Sequence, residues 1–254
     1  MNRNLKDEAS KAYPLGDVWR GILEVIGFTI KGCSIAQSAG ASRIELCDNP
    51  VDGGTTASHG FIKAARKNLH IELFPIIRPR GGDFFYNDDE FEIMKTDIRL
   101  CKELRCDGVV IGMLTNEGKI DKKKCGMLVE LAYPLSVTLH RAFDRTVDPF
   151  EALEDIIEIG CERVLTSGQK VNAVEGAPLI KQLIEQAEDR IIIMPGSGVR
   201  ANNIVDVAEI TGATEFHSSA RIQSGENISV DGEEIKKMLV LLKNISENIS
   251  SNKN

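Results

Sequence analysis

The sequence is poor in aromatic residues and has no long apolar segment. Aromatic side chains make up 5% of the 254 residues, which argues against a base-stacking surface for nucleic acid. No apolar run approaches the roughly 20 residues needed to cross a bilayer. Residues 1–21 are polar and lack the apolar stretch of a signal peptide. With a net charge of −7, we expect a cytoplasmic protein that binds neither membranes nor nucleic acid.

Cysteine pairs of the kind that hold zinc are also absent. The six cysteines are isolated from one another, and no two of them form a CxxC motif. The four histidines form neither HxxxH nor HExxH. Because cytoplasmic thiols stay reduced, these cysteines predict neither a disulfide framework nor a structural zinc site.

Short apolar or β-branched runs alternate with amphipathic segments along the chain. Eight runs have the length of strands, and each is followed by a segment with helical spacing. Units of about 25 to 30 residues predict a single (β/α)₈ barrel of the α/β class, with a doubly wound sheet as the alternative. The barrel is expected over residues 22–245, between a polar N-terminal extension (1–21) and a polar C-terminal tail (246–254). The predicted strands are Leu23–Ile26, Arg43–Cys47, Phe74–Arg78, Gly108–Ile111, Ser136–His140, Arg163–Thr166, Ile191–Met194 and Glu215–Ser218.

Several predicted strands carry polar residues on the face that would point into the barrel, because side chains alternate along a strand. A charge inside a barrel is unfavourable unless it is paired. Two explanations stay open. Glu24, Glu45 and Arg78 form a buried network that fixes the fold, or they belong to an active site, which in barrels lies at the carboxyl ends of the strands. The predicted catalytic residues are Glu24, Glu45, Arg78, His140, Asp144 and His217.

The loops after the strands indicate the class of ligand. Arg78 and Arg80 lie on one face before two glycines, an arrangement suited to clamping an anion. His140 and Asp144, four residues apart, are predicted to form an acid–base pair. Barrels often bind phosphate with the loops after the seventh and eighth strands, through amides at the N-terminus of a short helix. The predicted anion-binding residues are Arg80, Ser167, Gly196, Gly198, Ser218, Ser219 and Arg221.

Six strings of residues at these strand ends resemble the CutC family, and the resemblance extends from about Leu23 to Leu242. The strings are RIELCDNPVDGGTT (Arg43–Thr56), IRPRGGDFFYND (Ile77–Asp88), HRAFD (His140–Asp144), RVLTSGQ (Arg163–Gln169), MPGSGV (Met194–Val199) and EFHSSAR (Glu215–Arg221). The resemblance implies a (β/α)₈ barrel in the cytoplasm, a role in copper tolerance or trafficking with Cu(I) as the ligand, and self-association. It maps the family's charged mouth onto Glu24, Glu45, Arg78, Arg80, Asp83, His140, Arg141, Asp144, His217 and Arg221.

The resemblance assigns copper binding to Cys47. Ile26 stands where the family often has a second cysteine, so a two-thiolate site is absent at these positions, although Cu(I) prefers thiolate and thioether ligands. Two hypotheses remain. The first is a homeostasis protein that binds Cu(I) through Cys47 without turnover. The second is a barrel enzyme acting on a small anionic or phosphorylated metabolite, in which arginines stabilise negative charge and His140 or Glu45 transfers a proton.

Overall fold

Strands and helices alternate through the part of the chain that the computed structural model describes, residues 21–224 and 227–251. The barrel strands are β1 (Ile22–Gly27), β2 (Arg43–Leu46), β3 (Glu72–Pro75), β4 (Gly108–Ile111), β5 (Ser136–Leu139), β6 (Arg163–Thr166), β7 (Ile192–Pro195) and β8 (Glu215–Ser218). The helices are α1 (Ile30–Ser38), α2 (His59–Asn68), α3 (Asp88–Glu103), α4 (Lys122–Ala132), α5 (Pro149–Glu158), α6 (Ala173–Ala187), α7 (Ile204–Thr211) and α8 (Gly232–Ser251).

The eight strands close into a parallel barrel. Two four-stranded arcs, β3-β2-β1-β8 and β4-β5-β6-β7, contain all of them. The arcs meet where Ile76 bridges Val110 and where β7 packs beside β8. Because β1 pairs with β8, the first and last units of the chain are neighbours, which an open doubly wound sheet does not allow. The (β/α)₈ prediction is therefore confirmed.

Strand alternation divides the buried residues into an outer and an inner set. The outward-facing residues Ile44, Leu46, Val109 and Leu139 belong to the large apolar core between the strands and the helices. A second, small cluster lies apart from it and consists of Ile26, Cys47, Phe74, Ile76 and Val110. The buried charged residues alternate in sequence with the outer set, and so they lie inside the barrel.

Most predicted strand boundaries agree with the structure to within a few residues. The third strand is predicted over Phe74–Arg78 but spans Glu72–Pro75. Backbone hydrogen bonds continue beyond it, from Ile76 N–H to the Leu46 carbonyl oxygen and from Ile77 N–H to the Val110 carbonyl oxygen. Asp121 is the N-cap of α4. Asn87 is the N-cap of α3, and it exchanges hydrogen bonds with Glu90 in a capping box.

Two further strands, β9 (Arg221–Ser224) and β10 (Asn227–Val230), form an antiparallel hairpin after β8. The hairpin lies where other barrels often have the short helix whose N-terminus binds phosphate. Helix α8 includes the first part of the predicted polar tail, and residues 1–20 and 252–254 lie outside the described part, so the limits of both polar segments stay a prediction. None of the helices described is long and apolar enough to cross a membrane.

Candidate functional site

The inward-pointing side chains form two levels in the barrel. Glu24, in the middle of β1, lies in register with Arg43 of β2 and His217 of β8. All three side chains are buried. We call the charged residues nearer the N-terminal ends of the strands the lower ion-pair layer, which consists of Arg43, Arg163 and Glu215. The carboxyl ends of the strands and the loops that follow them form what we call the barrel mouth.

The charges of the lower ion-pair layer are neutralised together with that of Glu24 above it. Arg43 lies 2.5 Å from a Glu24 oxygen and 2.6 Å from a Glu215 oxygen, and Arg163 lies 2.8 Å from the same Glu215 oxygen. Two arginines thus face two carboxylates in a region without solvent. Of the two explanations left open for Glu24, Glu45 and Arg78, the buried network of these three residues does not form, because Arg43 lies beside Glu24 in the strand register and pairs with it.

An aromatic ring fills the centre of this layer. Phe74 lies with its ring centroid 4.9 Å from the Arg43 guanidinium and 5.7 Å from that of Arg163. Both contacts are cation–π interactions. A Cβ at Gly108 would come within 2.4 Å of the ring, so only glycine leaves room for it. The ring and its two arginines close the barrel below the mouth, with exposed fractions of 6% or less.

A carboxylate–histidine–carboxylate chain leads from this layer to the mouth. Glu24 Oε1 lies 2.7 Å from His217 Nδ1, and His217 Nε2 lies 3.8 Å from Glu45 Oε2. Burial disfavours a charge on Glu24, but the Arg43 charge and the His217 hydrogen bond outweigh it and lower the pKa of Glu24 to about 2. Glu24 is therefore ionised, and it fixes the orientation of a histidine that donates from Nδ1.

Glu45 is the titratable end of this chain. Burial raises the pKa of Glu45 to about 7, although the His217 charge opposes the shift. Burial also disfavours a charged His217, but the Glu24 hydrogen bond and the Glu45 charge together raise the pKa of this histidine. The two groups face each other and titrate as a pair. A carboxyl group with a pKa near neutrality can accept and return a proton, as a general acid–base catalyst must.

Cys47 lies just beyond Glu45 on the same face of β2 and is fully buried. Its neighbours are the apolar side chains of the small inner cluster, including Ile26. Burial, together with the charges of Glu45 and Glu24, raises the pKa of the Cys47 thiol well above its ordinary value. The sulfur therefore stays protonated in this environment, whereas a metal ligand must be a thiolate.

One group of candidate metal ligands is found within residues 21–224 and 227–251. Glu24, Glu45 and His217 offer ligand atoms that lie within 4.8 Å of one another. The set contains two oxygens, one nitrogen and no sulfur, and it does not fit Cu(I). Glu24 is also already bound to Arg43. We therefore interpret the group as a proton-transfer chain.

Arg78 carries a buried positive charge without a counter-ion. It is 6% exposed, and its guanidinium donates to the carbonyl oxygens of Asp52 and Gly54 at 2.7 Å and of Gly82 at 3.1 Å. Among the residues that the structure describes, no carboxylate forms an ion pair with it, and its Nε is buried without an acceptor. The backbone therefore holds this guanidinium in place and leaves its charge uncompensated.

The predicted pair of His140 and Asp144 does not form. The Asp144 carboxylate accepts hydrogen bonds from the hydroxyl groups of Thr166 and Ser167, after a short 3₁₀ turn carries it toward β6. His140 Nδ1 instead accepts a hydrogen bond from the Ala142 N–H at 3.1 Å. Its Nε2 is buried and has no partner. Asp144 therefore supports a loop, and His140 stands without a carboxylate.

Three of the predicted anion-binding residues are engaged within the fold. Arg80 pairs with Glu90 at 2.5 Å and with Asp83 at 3.0 Å. The Ser218 hydroxyl donates to the Val199 carbonyl oxygen at 2.6 Å. The third residue is Ser167, which bonds to Asp144 as described. These contacts compensate the Arg80 charge and use the donors of both hydroxyl groups.

The remaining four residues of that set lie where β7 and β8 end. Gly196 is buried, Gly198 is exposed with a φ of +75°, and Ser219 is half-buried. Arg221 begins the hairpin and stacks on the Phe28 ring at 4.8 Å. Its Nε is buried without an acceptor, and no carboxylate of the described residues forms an ion pair with it. The structure thus brings a second uncompensated guanidinium to the mouth.

Sequence reasoning missed several residues of the barrel interior. Arg43 precedes Glu45 by two positions, so the alternation that identified Glu45 could also have identified it. Arg163 starts β6 in the same way. The aromatic residues Phe84 and Tyr86 lie in the loop after β3, and the guanidiniums of Arg78 and Arg80 stack on them. Aromatic residues after an arginine pair were the available signal.

Comparison with known proteins gives a consistent result. The model of the CutC family matches residues 22–222. A "family protein CutC" from Parabacteroides distasonis is 53% identical over 79% of this chain and 83% of its own length. A mouse "copper homeostasis protein cutC homolog" is 51% identical over 79% of this chain and 74% of its own. The crystal structure of a CutC protein from Streptococcus agalactiae superposes with a TM-score of 0.75 and 36% identity, covering 78% of this chain and 98% of that one.

Proposed function

The chain belongs to the CutC family, and we propose that its barrel mouth is the active site of an enzyme that acts on a small anionic metabolite by general acid–base chemistry. One observation carries the proposal. Three N–H donors at the mouth, Arg78 Nε, His140 Nε2 and Arg221 Nε, are buried and have no acceptor. Unpaired buried donors are rare in folded proteins because they are unfavourable. A ligand with several acceptor atoms would satisfy them.

The charge of the mouth supports an anionic ligand. Arg78 and Arg221 have no carboxylate partner among the described residues, whereas Arg80 nearby has two. A buried guanidinium without a counter-ion attracts an anion, and its planar donors suit carboxylate and phosphate oxygens. Gly198 and Ser219, beside Arg221, complete the anion site of the proposal. Because a hairpin follows β8, the arginine takes the role that a helix N-terminus has in other barrels.

The acid–base chemistry of the proposal belongs to Glu45. Its carboxyl group lies inside the barrel and faces His217, which Glu24 orients from the other side. Glu45 would take a proton from the substrate, and the positive charge on His217 would stabilise the carboxylate that takes it. Glu24 and His217 act as positioning residues. Asp144 is given no part in proton transfer, because its hydrogen bonds hold the loop after β6.

Anion binding can be tested before a substrate is known. Inorganic phosphate and simple phosphate monoesters are titrated by calorimetry against wild type, Arg221→Met and Arg80→Met. Arg80 serves as the matched control, since carboxylates already pair with it. We expect phosphate to bind wild type and Arg80→Met equally, and Arg221→Met about tenfold more weakly. Equal loss in both variants, or no binding to wild type, would contradict the proposal.

Copper(I) binding is the second candidate, and the names of the mouse and human relatives favour it. Cys47 is the ligand that this function requires, and copper would be the cargo. The apolar surroundings of the thiol and the absence of sulfur from the described ligand group count against tight binding. An anaerobic Cu(I) titration against a competing chelator decides the matter, with Cys47→Ser as the variant and Cys161→Ser as the control. Tight binding that only Cys47→Ser abolishes would establish the copper function.

The proposal retains the cytoplasmic location and the self-association that the family resemblance implies. An active site inside one barrel needs no second copy to complete it. Light scattering on the purified chain measures the oligomeric state, and fractionation of cells measures the location. Neither result changes the chemistry assigned to the mouth.

A further inference from the structure

His140 is the buried donor at the mouth whose protonation the geometry defines. It follows β5 on the inner face of the barrel, since Leu139 before it belongs to the outer core, and it is 3% exposed. Its Nδ1 accepts the Ala142 N–H at 3.1 Å, so Nδ1 carries no proton. The single proton of a neutral ring is therefore on Nε2, the atom that has no partner.

The surroundings keep this ring neutral. Burial, helped by the positive charge of Arg78, lowers the pKa of His140 to about 3. No carboxylate of the described residues lies in hydrogen-bond or ion-pair contact with the ring, unlike His217. The chain therefore contains two buried histidines with opposite properties. His217 lies between carboxylates and favours the charged form, and His140 lies beside an arginine and favours the neutral form.

The ring is also fixed in position. Phe84 packs on it with ring centroids 4.9 Å apart, and Arg78 stacks on the same Phe84 at 5.0 Å. On the other side, a Cβ at Gly112 would lie within 2.4 Å of the His140 ring. The imidazole has no room to turn, and its N–H points in one direction before any ligand arrives. Fixed donors of this kind stabilise negative charge that develops during a reaction.

We propose that the Nε2–H of His140 donates a hydrogen bond to a carbonyl oxygen of the substrate, which is therefore an anionic compound that carries a carbonyl group. The inference rests on the proposed function and specifies its ligand. The charged part of the ligand is bound by Arg78 and Arg221, neither of which has a carboxylate partner among the described residues. A neutral donor contributes little to a full negative charge, but it suits an oxygen that becomes negative only in the transition state.

The donor also defines the reaction class. The Glu45 carboxylate removes a proton from the carbon next to the carbonyl group. The electron pair of that C–H bond forms a carbon–carbon double bond, and the carbonyl π electrons move onto the oxygen held by His140. The Glu45 carboxylic acid then returns the proton to the same carbon, which regenerates the carbonyl group. Where that carbon also bears a hydroxyl group, the hydroxyl proton can first pass to the enolate oxygen, and protonation of the former carbonyl carbon then leaves the new carbonyl group on the neighbouring carbon. The sequence is an enolisation followed by ketonisation, and it needs no oxidant or reductant.

A matched pair of ligands tests the assignment. Dihydroxyacetone phosphate has a carbonyl group where glycerol 3-phosphate has a hydroxyl group, and both carry the same phosphate. Calorimetry compares their affinities for wild type, His140→Phe, His140→Gln and the control His59→Gln, at an exposed histidine. We expect wild type and the control to prefer the carbonyl compound about tenfold. His140→Phe keeps a ring against Phe84 and should lose the preference, and His140→Gln should recover part of it through its amide N–H.

The possible results separate the two proposals. Phosphate binding without a preference for the carbonyl compound overturns the assignment of His140 and leaves the anion site intact. No binding of any anion overturns both. Nitrogen-15 NMR supplies a reading that needs no ligand, with His59 and His70 as internal references. We expect His140 to stay in the neutral Nε2–H form between about pH 5 and 8, and an Nδ1–H form or a titration in this range would overturn the inference.

Discussion

The lower ion-pair layer and the barrel mouth both contain arginines with buried or half-buried side chains, but the two groups differ in whether carboxylates pair with them. Arg43 and Arg163 meet carboxylates at 2.5 to 2.8 Å. Arg78 bonds only to carbonyl groups, and Arg221 stacks on an aromatic ring. The lower charges are compensated by the fold itself, whereas the upper charges still lack a counter-ion. Pairing, and not burial alone, separates the residues that stabilise this barrel from those that would bind a ligand.

The comparison has an energetic basis. A buried ion pair adds little net stability, but removing one partner leaves a buried charge uncompensated and is strongly destabilising. An unpaired donor is already unfavourable, so removing it releases part of that penalty. Substitutions in the lower layer should therefore affect stability, and substitutions at the mouth should affect binding.

The largest effect is expected for Arg43→Met. The change leaves Glu24 and Glu215 without their shared cation, and we expect a loss of about 3–5 kcal/mol in the free energy of unfolding. Urea denaturation measures it. Arg190→Met is the control, because Arg190 pairs with Glu154 on the surface, and an exposed ion pair of this kind contributes little to stability. If Arg43→Met and Arg190→Met unfold at the same urea concentration, Arg43 does not stabilise the barrel and the proposed difference between the lower layer and the mouth is contradicted.

Arg78→Met should have a smaller effect on stability and a larger one on binding. It removes three hydrogen bonds to loop carbonyl groups, and we expect a loss of about 1–3 kcal/mol with the barrel still folded. Phosphate affinity should fall at least about tenfold. Circular dichroism and calorimetry measure the two effects. A variant that fails to fold would make Arg78 a structural residue like Arg43.

His140→Gln should change how stability depends on pH. The unfolded histidine gains a proton below its ordinary pKa of 6.5, whereas the folded one resists protonation down to about 3. Wild type therefore loses stability as pH falls from 6.5 toward 3, and the glutamine variant lacks this contribution. We expect wild type to lose about 1–2 kcal/mol relative to the variant between pH 7 and 5. If thermal melts show the same change in melting temperature with pH for wild type and variant over this range, a neutral His140 is contradicted.

The smallest change in stability is expected for Glu45→Gln, and the variant should be more stable than wild type. The pKa of Glu45 is about 7 in the folded chain and 4.5 as the ordinary value. The folded state keeps the proton longer, so wild-type stability declines as pH rises from 4.5 to 7. Glutamine cannot ionise, and the variant should gain about 0.5–2 kcal/mol at pH 8. Thermal melts at pH 5 and 8 check this, and a variant that is less stable at pH 8 would make Glu45 a structural carboxylate.

Alternation along single strands made much of the interior predictable. A period of two assigns Glu24, Glu45 and His217 to one face from local sequence alone. The partners were not predictable in the same way, because they depend on the register between strands that are far apart in sequence. Glu24 meets Arg43 across 19 positions and His217 across 193. A pattern within one strand contains no information about that alignment.

Loop geometry was the second limit. The spacing of His140 and Asp144 suggested a pair, but one 3₁₀ turn carries the carboxylate to β6. The hairpin after β8 was also missed, although residues 221–230 contain two short alternating segments around Gly225. Loop residues take their direction from a few backbone angles, and sequence spacing alone does not supply these.

The Phe74 ring, which fits because residue 108 is a glycine, affects how a molecule bound in the barrel would leave it. The ring is packed between two guanidiniums, and all three side chains are buried below the proton-transfer chain. A molecule bound at the mouth must leave by the opening through which it entered. Substrate and product would then share one entrance at the mouth, and each would prevent the other from binding while it occupied the site. A larger side chain at residue 108 would displace the Phe74 ring and would leave the entrance at the mouth unchanged.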